Sequence, residues 1–329
     1  MASTTNKNES SIESYDQNNL MNKLNYDIII IGSGAGGGTV AQELSSLCAS
    51  GVRIAVLEKG PKLRDEEFTG HELEMTSALY EDGGGFLTAE KTMTLALGSA
   101  YGGSTVVYTG TSLLPPERVI QRWNVPGLTL QEIEQRTRKF MLENNVQLVE
   151  DKFINENNRL FVEGCRQLGY DSRQFPLNLR GCVGSGLCNL GCPNQAKQGT
   201  NRVQLPRAES NGVEVITRCE VLRIIGKNGG KNGGKNGGKK LIARVTAKPP
   251  GAKGEPSSWA PGEYEITAKI IVLSDSVTDA HGRVHGVHGL YVADASLFPN
   301  ALEINPYLTI MALADRVAET IRKDASSLL

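Results

Sequence analysis

A continuous apolar run at residues 28–31 leads directly into glycines at positions 32, 34 and 37. Such a run is typical of a strand buried on both faces of a parallel sheet, so it predicts a strand followed by a tight turn and a helix. Residues 53–57 form a second largely apolar segment, which ends at Glu58. The order of strand, glycine-rich turn, helix, strand and acid predicts one complete nucleotide-binding unit.

The three glycines of this unit predict separate contacts with a dinucleotide. Gly32 allows the tight turn, Gly34 lets a pyrophosphate approach the backbone, and Gly37 lets the helix pack close to the strand. The helix directs free N–H groups and the positive end of its dipole at the phosphates. Glu58 is expected to accept hydrogen bonds from ribose hydroxyls, which disfavours a 2′-phosphate. A glycine-rich turn in an ordinary α/β domain is the alternative interpretation.

The C-terminal part of the chain indicates which dinucleotide is bound. Residues 281–319 read HGRVHGVHGLYVADASLFPNALEINPYLTIMALADRVAE, and here the chain resembles the glucose-methanol-choline (GMC) family of FAD-dependent alcohol oxidoreductases. The resemblance implies FAD as the cofactor, with Asp294 near its ribityl and pyrophosphate groups. It also implies that Asn305 is the second of two polar active-site side chains. Pro306 suits the first turn of the helix that follows.

Two further blocks carry the same resemblance. Residues 97–110, LGSAYGGSTVVYTG, look like the family's glycine-serine loop beneath the flavin ring, which offers N–H groups and hydroxyls to the cofactor. The residues that align with this loop are Gly102, Gly103, Ser104 and Thr105. The family often has Asn where this chain has Tyr108. The resemblance therefore does not imply that the side chain at position 108 orients the flavin. Residues 205–221 resemble the strand that lies against the adenine, which places Val221 there.

The resemblance implies an α/β fold, namely a Rossmann-like FAD-binding domain with a three-layer sheet and a β-hairpin insertion. Because motifs at both ends complete one site, we predict a single discontinuous domain. Its N-terminal part would span residues 25–274 and its C-terminal part residues 275–321. Residues 1–24 would form a disordered tail and residues 322–329 a short C-terminal tail.

The N-terminal part contains two predicted insertions. Residues 180–200 form a cysteine-rich segment. Residues 226–240 include a repeated Lys-Asn-Gly-Gly sequence, whose glycines and like charges predict a flexible, solvated linker. The apolar-alternating segments on either side of this linker are expected to pair as a hairpin, so the repeat would form the tip of a long loop.

The segment after residue 268 departs from the family. A similar strand in the family precedes a large substrate domain, whereas here it runs directly into the lead-in to the final motif, so the substrate domain is expected to be largely absent. The family's catalytic His normally lies in an H-x-x-G-T segment, which this chain lacks. The chain has four histidines, and we expect the last three to lie in a solvent-facing loop rather than in a catalytic or metal site. The four are His71, His281, His285 and His288.

Cys182, Cys188 and Cys192 form a second constellation. Their spacing matches the bacterial ferredoxin run C-x2-C-x2-C-x3-C-P, with Ser185 at the second position, and three thiolates would suit a 3Fe-4S cluster. Some multi-subunit bacterial GMC dehydrogenases have this spacing, so the resemblance implies a cluster as one hypothesis. Residues 197–200, KQGT, look instead like the long-chain alcohol oxidase branch, where similar cysteines need not hold iron. Buried thiols or a disulfide would equally account for the three cysteines.

The charge balance and hydropathy of the chain limit the kinds of binding partner that the sequence supports. The 35 basic and 36 acidic residues are balanced, which gives no support to nucleic acid or an anionic membrane as a partner. No apolar run approaches the roughly 20 residues needed to span a bilayer. The first 24 residues lack the hydrophobic segment of a secretory signal, so a cytoplasmic location is the default expectation.

The resemblance implies a flavoenzyme that acts on the CH–OH group of a small alcohol or sugar, with hydride transfer to flavin N5. Electrons would then pass to an acceptor protein or a quinone-like acceptor. Asn305 can hydrogen-bond the substrate oxygen but cannot act as the base that removes the hydroxyl proton. Two further hypotheses therefore stay open: a remnant that binds FAD without oxidising alcohol, or an FAD-bearing subunit whose substrate cap and base come from a partner chain.

Overall fold

The computed structural model describes residues 21–225, 238–273 and 278–329. The strands are β1 (Asn22–Ile31), β2 (Ile54–Leu57), β3 (Phe86–Leu87), β4 (Thr94–Leu95), β5 (Val146–Gln147), β6 (Leu177–Asn178), β7 (Glu214–Ile216), β8 (Cys219–Ile225), β9 (Lys239–Val245), β10 (Gly262–Leu273) and β11 (Leu290–Val292). The α-helices are α1 (Ala35–Leu44), α2 (Glu72–Leu79), α3 (Glu117–Trp123), α4 (Leu130–Glu143), α5 (Glu156–Gln167), α6 (Gln204–Ser210) and α7 (Tyr307–Leu328). Within the described ranges, none of these helices combines the length and the apolar character that crossing a bilayer requires.

One large sheet organises the fold. Its strand order is β7-β2-β1-β10-β9-β8, and β11 pairs with the last residues of β10. The pairs β1 with β2, β1 with β10, β2 with β7 and β10 with β11 are parallel, whereas β8 and β9 form an antiparallel hairpin next to β10. Parallel pairing brings the carboxyl ends of β1, β2 and β11 to the same edge, where ligands of α/β sheets bind.

The apolar run of β1 is buried on both faces, as its pattern predicts. Ile28 and Ile30 pack in one core with side chains of α1, α6 and α7. Ile29 points to the opposite face and packs with residues of β8 and β9. The hairpin curls back over β2, since the amide of Cys219 donates to the carbonyl of Glu58 at 2.8 Å. The parallel strands of the sheet thus lie between a helical layer and the curled hairpin of the same sheet, which confirms the predicted α/β fold of Rossmann type.

Two strands begin inside segments that the sequence analysis assigns to a tail and to a linker. The strand β1 begins at Asn22, inside the tail predicted for residues 1–24, because Asn22 pairs with Tyr264 of the long strand β10. Lys239 and Lys240 open β9 instead of closing the linker predicted at residues 226–240. Lys240 pairs with Ile225, and its ammonium lies 2.8 Å from a carboxylate oxygen of Glu265. Residues 1–20, 226–237 and 274–277 lie outside the described residues.

The segment assigned to a C-terminal tail, residues 322–329, forms the end of α7, which continues to Leu328. Asp324 accepts two hydrogen bonds from the Arg283 guanidinium, at 2.8 and 3.0 Å, and one from the Tyr291 hydroxyl at 2.7 Å. Ala325 is buried in the same turn. These contacts attach the last turns of α7 to the segment around β11 and keep them helical.

Candidate dinucleotide site

The glycine-rich turn joins β1 to α1. Gly32 has a φ of +85°, which favours glycine, and a Cβ atom on Gly37 would lie 2.0 Å from the Gly32 carbonyl oxygen. The turn and the close approach of the helix are therefore formed as the sequence predicts. A Cβ atom on Gly34 would meet nothing within 4 Å. The position predicted to face a pyrophosphate thus opens into free space at the start of α1.

The N-terminus of α1 is suited to an anion. No side chain caps it, and its first turn contains no acidic residue. The first N–H groups of an α-helix have no partner within the helix, and the helix dipole is positive at this end. Together with the open space at Gly34, these features fit the pyrophosphate of a dinucleotide.

Glu58 lies directly after β2 and is buried. Its Oε2 accepts hydrogen bonds from the amide and hydroxyl of Ser33, at 2.9 and 2.5 Å, and its Oε1 accepts one from the amide of Gly60 at 2.8 Å. Burial raises the pKa of this carboxyl, while the hydrogen bonds from Ser33 and Gly60 lower it in part. A carboxylate has more acceptor positions than these three bonds use. The contact with ribose stays a prediction, and the observed role of Glu58 is to brace the turn through Ser33.

The glycine-serine loop contacts the turn directly. Gly103 has a φ of +53°, and a Cβ atom there would lie 2.9 Å from the Cα atom of Gly34. Thr105 is buried and donates to the carbonyl of Gly102 at 2.7 Å. Ser104 is exposed, and its Oγ accepts from the amide of Gly98 at 2.9 Å. The structure therefore brings the four aligned loop residues to the side of the glycine-rich turn.

Thr200 is a central residue that the sequence reasoning did not assign. Its buried hydroxyl lies 3.0 Å from the carbonyl oxygen of Ser33, 3.2 Å from that of Gly102 and 2.9 Å from the hydroxyl of Thr105. It thus joins the glycine-rich turn to the glycine-serine loop. The available signal was its place in the KQGT motif, residues 197–200, at the end of the cysteine-rich segment.

The C-terminal block reaches the same place from the other side of α1. A Cβ atom on Gly36 would lie 1.7 Å from the carbonyl oxygen of Ala293 and 3.3 Å from the Cα atom of Asp294. The Asp294 carboxylate accepts hydrogen bonds from the amide and hydroxyl of Ser296, at 2.9 and 2.5 Å. The predicted acid therefore lies beside the first turn of α1, and Gly36, which the three-glycine motif omits, makes this approach possible.

Asn305 and Pro306 are exposed and immediately precede α7. Pro306 occupies the N-cap position, one residue before the first turn that the sequence predicts for it. The next residue, Tyr307, is buried in an apolar cluster against which Ala35 of α1 and Tyr108 pack. The start of α7 thus meets both the start of α1 and the end of the glycine-serine loop.

Tyr108 stands where the family often has Asn. Its ring centroid lies 5.0 Å from that of Tyr307, and its buried hydroxyl has no hydrogen-bond partner among the described residues. Burial raises the pKa of this hydroxyl well above its ordinary value. A phenol that keeps its proton in this way is not a candidate for the missing base.

The structure also locates the remaining candidates. Val221 lies in β8, half-buried beside the core beneath the curled hairpin, and its contact with adenine stays a prediction. All four histidines are exposed at the surface, including the three for which the sequence predicts a solvent-facing loop.

Cys182, Cys188 and Cys192 are free thiols, so the disulfide considered for them is not formed. Cys192 is buried, and the other two are half-buried. Burial raises the pKa of the Cys188 thiol, and the nearby charge of Lys197 opposes that shift. Within residues 21–225, 238–273 and 278–329, no three His, Cys, Asp or Glu side chains are grouped in a way that could hold a metal ion. The iron-sulfur hypothesis gains no support from this arrangement.

Known proteins resemble this chain over much of its length. A relative from Mycobacterium tuberculosis, an uncharacterized GMC-type oxidoreductase, is 33% identical over 209 residues, which are 62% of this chain and 33% of the relative. A long-chain-alcohol oxidase of Arabidopsis thaliana is 30% identical over 206 residues, which are 62% of this chain and 27% of the relative. A cholesterol oxidase of Mycobacterium tuberculosis is 24% identical over 229 residues, 59% of this chain and 39% of the relative. The chain spans about a third of the length of the first two relatives.

Family models agree with these relatives. The model of the N-terminal GMC oxidoreductase domain matches residues 76–254, which are more than half of the chain. The model of the C-terminal GMC oxidoreductase domain matches residues 273–314, the segment that places Asp294 and Asn305 beside α1 and α7. Because both domains match in their normal order, this chain belongs to the GMC oxidoreductase family.

Proposed function

We propose that this chain binds FAD and belongs to a flavoenzyme that oxidises the CH–OH group of an alcohol or a sugar. The observation that supports this most directly is the convergence of three separate segments at the first residues of α1, from Gly34 to Gly36. These segments are the uncapped start of α1, the glycine-serine loop at Gly103, and the backbone at residues 293–294 after β11. GMC oxidoreductases generally bind FAD, and this convergence provides the N–H groups and close backbone approach that its pyrophosphate needs.

Each segment of the site would have a distinct task. The N–H groups of α1 would bind the pyrophosphate, and the glycine-serine loop would offer amides and hydroxyls to the phosphates and the flavin edge. Glu58 would bind the ribose, Val221 would lie against the adenine, and Asp294 would lie near the ribityl chain. When bound, FAD supplies the hydride acceptor. The residues that would hold it are Gly32, Gly34, Gly37, Glu58, Gly102, Gly103, Ser104, Thr105, Val221, Asp294, Asn305 and Pro306.

The chain's own residues supply only part of the chemistry of alcohol oxidation. The Asn305 amide would hydrogen-bond the substrate oxygen and orient the carbinol carbon, but an amide cannot take up the hydroxyl proton. Neither the surface histidines nor the protonated Tyr108 meets the need for a base. The base would therefore come from outside the residues that match the family pattern.

A second candidate function follows from the lack of a catalytic base among the residues that match the family pattern. Asn305 is exposed, and the residues that align with the first two relatives cover 33% and 27% of their lengths. These observations favour a chain that binds FAD without oxidising alcohol by itself, either as a remnant or as a subunit whose substrate cap and base come from a partner chain. An acceptor protein for the electrons is a further expected partner of the active form.

Reconstitution with FAD followed by rapid anaerobic mixing with alcohols tests both functions. We expect one FAD per chain, measured by the flavin absorbance bands and by the change in flavin fluorescence on binding. Protein that stays colourless and takes up no FAD would rule out the first proposal and the second. Flavin that binds but is not reduced by any of a panel of primary, secondary and sugar alcohols would favour the second, and co-purification would then identify a partner chain.

A further inference from the structure

We propose that Lys197 is a positioning residue of the flavin site, which fixes the end of the glycine-serine loop and couples it to the cysteine segment, residues 182–192. This inference rests on the proposed FAD site. Lys197 would act through the backbone of Tyr108 and would not itself contact the reacting atoms.

The contacts of Lys197 are unusual for a lysine. Its side chain is 4% exposed, and its ammonium donates a hydrogen bond to the carbonyl oxygen of Tyr108 at 2.6 Å. It also donates to the carbonyl oxygen of Cys188. In the described parts of the chain, Lys197 has no ion pair with a carboxylate. A buried ammonium costs free energy unless its N–H groups are satisfied, so the two carbonyl groups fix its place.

Lys197 and Thr200 hold the glycine-serine loop at two separate points. Thr200 contacts Gly102 and Thr105 in the middle of the loop, and Lys197 contacts the carbonyl of Tyr108 near its end. Between them, the carbonyl oxygen of Gln198 accepts hydrogen bonds from the side-chain amides of Asn144 and Asn178, at 2.8 and 2.6 Å. The strap, residues 197–200, is therefore anchored in the body of the domain while it holds the loop.

The contact with Cys188 extends this arrangement to a second segment. The same ammonium donates to the carbonyl oxygens of Cys188 and Tyr108. If either segment moves, the ammonium moves with it and its hydrogen bond to the other segment is disturbed. A cofactor that orders the glycine-serine loop should therefore also restrict the cysteine segment. This coupling is reciprocal, because two segments that bind the same ammonium group affect each other's free energy equally.

Substitution of Lys197 tests the positioning role. Lys197→Met keeps most of the apolar stem and removes all three donors, and Lys197→Arg keeps donors. We expect Lys197→Met to weaken FAD binding at least tenfold and to change the visible circular dichroism of the bound flavin, with partial rescue in Lys197→Arg. The matched control is Lys239→Met, since the Lys239 ammonium also donates to a backbone carbonyl, that of Lys269 at 3.2 Å, but lies at the hairpin. FAD affinity and flavin dichroism equal to those of the parent in Lys197→Met would overturn the proposal.

A second measurement needs no variant. In the unmodified chain, saturating FAD should slow the alkylation of Cys188 by iodoacetamide at least fivefold, as followed by peptide mass spectrometry. Cys165, which lies in α5, provides the internal control and should react at the same rate with and without FAD. Equal rates at Cys188 in the presence and absence of FAD would contradict the coupling, even if Lys197→Met failed to fold.

The two proposals fail in different ways. If the unmodified chain takes up no FAD, the proposed function is wrong. If it binds FAD while Lys197→Met binds it equally well, the function stands and only the role of Lys197 is wrong.

Discussion

A Cβ atom on Gly36 would lie 1.7 Å from the carbonyl oxygen of Ala293. The first turn of α1 and the end of β11 are thus in backbone contact, although 257 positions separate the two residues in the sequence. This contact joins the N-terminal fingerprint to the C-terminal block. It requires a residue without a side chain at position 36, which no local feature of the turn demands.

Gly36→Ala should therefore destabilise the chain before any cofactor is added. The added methyl group meets backbone atoms, which cannot move aside as a flexible side chain can, so we expect a loss of about 2–3 kcal/mol in the free energy of unfolding. Urea denaturation of the FAD-free protein measures this loss. A change below about 0.5 kcal/mol, the usual range for surface substitutions, would show that the close contact with Ala293 is not maintained.

Gly34→Ala should give the opposite result. Gly34 has a φ of −65°, which alanine adopts freely, and the new methyl group would point into open space. The free energy of unfolding of the FAD-free protein should stay unchanged, whereas FAD affinity should fall at least tenfold because the methyl group occupies the place proposed for the pyrophosphate. Fluorescence titration with FAD checks this. Unchanged affinity would place the pyrophosphate elsewhere.

Thr200→Val removes the hydroxyl that joins the glycine-rich turn to the glycine-serine loop and leaves the side-chain shape almost unchanged. Because the single hydroxyl hydrogen of Thr200 is lost, a buried carbonyl group next to it loses a donor, so we expect a loss of about 1–3 kcal/mol in the free energy of unfolding, together with weaker FAD binding. Thr200→Ser keeps the hydroxyl and is the matched control. If valine destabilised the chain no more than serine does, the hydrogen bonds of the Thr200 hydroxyl would make no measurable contribution.

The sequence predicts the parts of the site that depend on local backbone geometry. Gly32 and Gly37 serve a turn and a helix within six residues of one another, so the motif alone predicts their roles. Gly36 and Thr200 depend on contacts with segments far along the chain, and nothing in their immediate neighbours indicates those partners. The motif predicts a ribose contact for Glu58, but its partner Ser33 is a variable position of the motif, and the buried contact between them appears only in three dimensions.

In the fold, too, the sequence predicts the features that depend on local patterns and misses those that depend on distant contacts. The two-sided burial of β1 was predictable from its unbroken apolar run, because only a strand covered on both faces needs one. The length of α7 was not, since its last turns look polar in sequence and are held by the pairing of Asp324 with Arg283 from another segment. Polar residues that find distant partners thus extend helices and strands beyond the segments that a local pattern indicates.

Glu319 gives the chain a stability that depends on pH. Hydrogen bonds from Lys323, at 2.6 Å, and from Arg136 lower the pKa of the Glu319 carboxyl from its ordinary value of 4.5 to about 2. A lowered pKa means that the folded chain binds the proton less readily than the unfolded chain, so the contribution is complete above pH 4.5 and is lost as the pH falls towards 2.

Glu319→Gln should therefore lower the free energy of unfolding at pH 6 by about 1 kcal/mol or less, since the pair is partly exposed and solvent screens it. The difference between the parent and the variant should shrink when urea denaturation is repeated at pH 5, 4 and 3, because the unfolded parent takes up a proton at Glu319 over that range while the folded parent keeps its carboxylate. Lys323→Met removes one partner and should reduce the pH dependence only in part, as Arg136 stays in place. A difference that is constant from pH 6 to pH 3 would mean that the carboxylate gains nothing from Arg136 and Lys323, and that the substitution acts through packing at the α4–α7 contact.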